Sequence, residues 1–108
     1  MGEKGAKLTS ESILATELFL ERIGSIEGVT SKKMFGGHGI FHEGKMFGLV
    51  DSKGNYFLKA DDSNREDYLT RGSVQHSRMP YYSIPAEVLE DPSALISWTE
   101  KSIDTIQR

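Results

Sequence analysis

The sequence predicts an α+β domain built as a two-layer sandwich, in the order α-β-β-β-α-β-β-α, with an antiparallel sheet carrying its helices mainly on one face. Three observations lead there. Apolar residues recur at helical spacing near both ends of the chain. Between them, residues 30–60 are punctuated by glycine and carry apolar runs of strand length. The 108 residues are 37% hydrophobic and 27% charged, which suits one independent core and not a disordered chain.

Residues 1–9 are small, charged and glycine-containing, and read as a flexible tail ahead of a single domain over 10–108. Thr9-Ser10-Glu11-Ser12 offers several N-caps. Ile13, Leu14, Leu18, Phe19, Ile23 and Ile26 then fit one broad face of a helix from about Ser10 to Ile26, with Gly28 as its stop. Next comes a meander of three strands. The first is long and kinked at Gly36-Gly37, the second covers Lys45 to Val50, and the third covers Asn55 to Lys59. His42-Glu43-Gly44-Lys45 and Asp51-Ser52-Lys53-Gly54-Asn55 have the chemistry of hairpin turns. A short helix follows from about Asn64 to Thr70, then two short strands, Val74 to Met79 and Tyr81 to Ile84, broken by Pro80. Pro92-Ser93 opens the last helix, whose stripe is Ala94, Leu95, Trp98, Ile103 and Ile106.

No apolar stretch is long enough for a transmembrane helix and no signal peptide is read, so the expected location is the cytoplasm. Cysteine is absent, which excludes disulfides, thiolate nucleophiles and cysteine-ligated zinc. The net charge of −3 argues against a domain that holds duplex DNA alone. Charge is uneven, however: residues 30–60 carry Lys32, Lys33, Lys45, Lys53 and Lys59 against Glu43 and Asp51, whereas both flanks are acidic.

The candidate catalytic constellations fail on geometry. His38 and His42 have the spacing of a helical metal pair, but their segment reads as strand, where four residues span roughly 13 Å at about 3.3 Å per residue. Gly36-Gly37-His38-Gly39 leads into a strand and not into the helix N-terminus that a phosphate loop requires. No Gly-x-Ser-x-Gly turn is present. Asp61-Asp62 and Glu90-Asp91 sit beside turns and prolines, as helix caps do. The expectation is therefore a binding domain and not an enzyme, with no catalytic, metal or cofactor-binding residues and no cofactor. The candidate interaction surface is Lys32, Lys33, Phe57 and Lys59. A sheet with aromatic residues on both faces needs a cover for the second one. A protein partner or a second copy, forming a homodimer, is favoured over nucleic acid bound through the lysine and aromatic residues of 30–60. A small ligand bound at Gly36 to His42 is a further alternative.

Met34-Phe35-Gly36-Gly37, Gly39-Ile40-Phe41, Met46-Phe47-Gly48-Leu49-Val50, Tyr56-Phe57-Leu58-Lys59-Ala60-Asp61, Tyr81-Tyr82-Ser83-Ile84-Pro85, Val88-Leu89-Glu90-Asp91 and Trp98 occur in that order. The series resembles the N-terminal domain of the TfoX/Sxy competence regulators over about residues 10 to 106. The resemblance implies a two-layer fold similar to secretion-chaperone-like domains. It also implies a role in regulating bacterial competence or transcription, without an enzymatic site. Full-length regulators of that kind carry a second, helical C-terminal domain, so the resemblance is to a stand-alone N-terminal domain.

Overall fold

A computed structural model describes residues 10–34 and 36–107, so the tail read over 1–9 lies outside it. The glycine-punctuated middle folds as a meander. β1 (Val29–Met34), β2 (Gly37–His42), β3 (Lys45–Val50), β4 (Tyr56–Lys59) and β5 (Tyr81–Ser83) lie side by side in chain order, every neighbour antiparallel. The helices are α1 (Ser10–Arg22), α2 (Arg65–Leu69), α3 (Ala86–Leu89) and α4 (Pro92–Ile106). The α+β class, the antiparallel sheet and the placing of helices on one face hold as expected. The element order is α-β-β-β-β-α-β-α-α, which differs from the expected one in three places.

The first difference is at Gly36-Gly37, where one kinked strand was expected and two strands are found. Met34 pairs with Gly37, and between them Gly36 takes a left-handed φ of 77°, which suits a tight reversal. Gly37 is needed for a separate reason: a Cβ there would lie 2.0 Å from the Val50 carbonyl oxygen. The glycines reverse the chain instead of bending it. The second difference is at 74–79, where a strand was expected. Pairing is limited to a bridge between Gln75 and Tyr82. Met79 N–H then bonds back to the His76 carbonyl at 3.0 Å and Ser77 adopts a φ of 54°, so the segment turns. The third is the short α3, which precedes α4.

α1 ends at Arg22 and tightens into turns, with Gly24 N–H bonding to Glu21 O and Ile26 N–H to Ile23 O. It does not bury its apolar residues as one face. Phe19 and Ile23 enter the core together with Ser12 and Thr16, whereas Ile13, Leu14 and Leu18 are exposed. α4 starts as its sequence suggests: the Asp91 carboxylate accepts from Ser93 and Ala94 N–H, with Pro92 in the first turn.

Strand alternation divides the apolar residues into two clusters. Ile40, Phe47, Val50, Leu58, Tyr82 and Ile84 meet Phe19 and Ile23 of α1, Tyr68 of α2, Val88 of α3, and Leu95 and Ile103 of α4. On the other face Leu49, Phe57 and Tyr81 pack with Met46 and Met79. A bulge lies between these layers. Ile40 pairs with Gly48 and Phe41 with Met46, which leaves Phe47 unopposed on β2. Its neighbouring carbonyls are taken from both sides of the sheet. The buried Ser102 hydroxyl of α4 lies 3.0 Å from Phe47 O and 2.9 Å from Lys59 O, and Tyr81 OH donates to Met46 O at 3.1 Å.

Candidate interaction surface

The face without helices gathers three methionines from separate parts of the chain. Met34 ends β1, Met46 lies in β3, and Met79 sits in the turn before β5. The thioethers of Met34 and Met46 close over Gly39, where a Cβ would lie 2.9 Å from each sulfur. Beside them a cavity of about 290 Å³ opens between the sheet and the 76–79 turn, lined by Met34, Leu49, Val50, Asp51, His76, Ser77 and Met79. Methionine suits such a wall because its unbranched, polarisable side chain repacks around different shapes.

Charge and aromatic residues frame the cavity unevenly. Lys32 Nζ stands 5.5 Å from the centroid of the half-buried Phe41 ring. His76 meets Phe57 edge-on, with centroids 4.8 Å apart, and Phe57 is 9% exposed. The phenol of Tyr81 is buried between Met46 and the sheet, and burial pushes its pKa up to about 12.

Of the four residues expected to form an interaction surface, Lys32, Phe57 and Lys59 share this face. Lys33 alternates to the helix-bearing face, and Phe57 is covered by His76 instead of lying open. The lysines of 30–60 do not line up in one track. Lys45 opens β3, and Lys53 lies in the turn beyond the other end of that strand.

The histidines share the helix-bearing face, as strand spacing requires, but each is engaged by a different helix. His38 Nδ1 is 3.0 Å from Ser12 Oγ of α1. Gln107, just past α4, donates from Nε2 to His42 Nδ1 at 3.1 Å. Burial lowers the His38 pKa, and the Lys33 charge lowers it further. Among the described residues no three His, Asp or Glu side chains are placed to hold a metal ion. Asp61 accepts from Ser63 N–H and Oγ–H in a turn, and Asp91 caps α4.

The methionine cluster is a site that sequence reasoning missed. Each residue was legible as part of a strand or a turn. Their meeting depends on β1 and β2 pairing antiparallel and on the 76–79 turn folding over the sheet.

An antiparallel meander with helices on one face and a small apolar cavity on the other defines a small α+β domain. The chain matches the TfoX N-terminal domain over residues 21–106. It belongs to the TfoX N-terminal domain family. No curated protein matches it. No helix among the described residues is long and apolar enough to cross a membrane.

Proposed function

We propose that this TfoX-type domain is a regulatory interaction module that works by binding and not by catalysis, in the control of competence or transcription. The observation that carries the reading is the methionine-lined cavity on the helix-free face. Its volume, about 290 Å³, suits one or two apolar side chains of a partner. Lys32 and Lys59 stand on the same face and supply charge around an apolar centre, the arrangement common at protein interfaces.

The test is affinity capture from a bacterial extract, with wild type, Met34→Glu and Met34→Leu side by side and each confirmed folded by circular dichroism. The expected result is a protein retained by wild type and by Met34→Leu and lost with Met34→Glu. Nothing retained by wild type, or equal retention by Met34→Glu, overturns the reading. Sedimentation identifies the occupant: a dimer broken by Met34→Glu makes it a second copy.

A further inference from the structure

α1 is amphipathic in the reverse sense over its first half. The side facing the sheet carries Ser12 and Thr16, at 0% and 3% exposure, whereas Leu14 and Leu18 are 65% and 44% exposed and Ile13 is 39% exposed. Leu14 and Leu18 are one turn apart, so they form a continuous ridge, and Ile13 flanks it. The ridge points directly away from the core, because Ser12, Thr16, Phe19 and Ile23 occupy the opposite side. An isolated exposed leucine is ordinary, but two leucines one turn apart at the crest of a helix, with the exposed Ile13 on its side, enlarge the apolar area open to water. These three positions lie outside the span 21–106 that matches the family, so the match does not account for them.

The charges around the ridge are of one sign. Glu11, Glu17 and Glu21 are exposed on the same outward half of α1. None of the three is ion-paired among the described residues. The one cation of the helix, Arg22, is drawn away: its Nη1 donates to the Leu89 carbonyl at the end of α3, 2.8 Å distant. The outer face of α1 is thus a short apolar ridge with acidic flanks. A second copy of the same helix would set acid against acid along such a contact, which is repulsive.

We infer that the outer face of α1 is a docking site for a basic amphipathic helix, one whose aliphatic stripe is flanked by lysine or arginine. Aliphatic side chains of the partner pack against Leu14 and Leu18 in helix-to-helix fashion. Its cations meet Glu11, Glu17 and Glu21 at the rim, where they select the partner and its orientation more than they add affinity. The site rests on the reading of the domain as an interaction module. It uses the layer opposite the methionine cavity, so the two are tested separately.

The experiment titrates the full chain with two synthetic helical peptides of about 18 residues that share one leucine stripe, one flanked by lysines and the other by glutamates. Binding is followed by calorimetry and by chemical-shift changes of the α1 amides. The lysine peptide is expected to bind at least about tenfold more tightly at low salt, with the preference shrinking towards unity near 1 M salt. Leu14→Ser with Leu18→Ser is expected to weaken it at least about tenfold while the chain still unfolds cooperatively, with a midpoint lowered only by serine's poorer helix propensity and the buried part of Leu18. Glu17→Gln with Glu21→Gln is expected to remove the preference while retaining part of the binding. Equal binding of both peptides, no binding up to about 1 mM, or shift changes away from α1 overturns the proposal. A dimer in sedimentation that Leu14→Ser disrupts overturns it too, since the occupant is then a second copy. Failure here leaves the Met34 comparison standing, and failure of that comparison leaves this one standing.

Discussion

Ser102 and the glycines of β2 show how single residues hold this sheet. The bulge at Phe47 interrupts the β2–β3 ladder, and Ser102 Oγ lies within hydrogen-bonding distance of Phe47 O in β3 and Lys59 O in β4. The hydroxyl has one proton, so Ser102→Ala removes the donor that the two carbonyls share, with an expected cost of about 1–3 kcal/mol. Urea denaturation checks this, and a loss below about 0.5 kcal/mol would show that water replaces the hydroxyl. Gly37 and Gly39 look alike in the sequence but differ in what surrounds them. A Cβ at Gly37 meets the Val50 backbone, which cannot move without parting β2 from β3, whereas one at Gly39 meets two thioethers that can swing aside. Gly37→Ala is expected to cost about 3 kcal/mol or prevent folding, and Gly39→Ala about 1 kcal/mol. Similar unfolding midpoints for the two variants would refute that distinction. The need for a turn at Gly36-Gly37 was partly legible, since two adjacent glycines mark a special backbone. Whether they bend a strand or reverse it depends on what the next strand pairs with.

At the scale of elements, α1 is joined to the sheet by polar contacts as much as by apolar ones. Ser12 meets His38, and Tyr56 OH donates to the Ala15 carbonyl at 2.8 Å while its ring stacks on Phe19. The burial of His38 beside Lys33 is expected to make stability depend on pH. An unfolded imidazole takes up its proton near pH 6.5, whereas burial and Lys33 delay uptake in the folded chain. Between the two values the unfolded state binds more protons, so stability falls as pH drops through about 6.5 and levels off below the lowered value. The urea midpoint is expected to decrease from pH 7 to pH 5, and Lys33→Met to make that decrease shallower. A midpoint unaffected by His38→Asn across this range would assign the pH dependence elsewhere. Most of the elements were legible. β3, β4, α2, β5 and α4 follow from apolar spacing, turn residues and caps. The fate of 74–79 was not, because Val74-Gln75-His76 has strand texture and is stopped by the turn at Ser77.

Over the whole molecule, stability is distributed unevenly between the two faces of the sheet. The helix-bearing face buries aromatic and aliphatic residues from every helix, including Tyr68 edge-on to Trp98 at 4.8 Å, with Arg71 over the same indole. The other face has a smaller cluster covered by the 76–79 turn. Native-state hydrogen exchange is expected to show β2 and β3 amides opening only with global unfolding, and the His76 and Met79 amides opening at lower free energy. Equal protection in both would mean that the turn is a fixed part of the core and the cavity beneath it cannot adapt.

The sequence by itself determined the α+β class, the antiparallel pairing, the single helical layer and the family. These follow from local periodicity, turn chemistry and the order of short motifs, all of which are properties of neighbouring residues. Only the tertiary structure decided which apolar residues of α1 are buried, where His38 and His42 find their partners, and that Met34 and Met79 line one cavity with Met46 beside it. Those outcomes depend on contacts between segments distant along the chain, set by strand register and by the side of the sheet onto which each loop folds. The candidate surfaces for partners are of that kind, so they became visible only in the assembled fold.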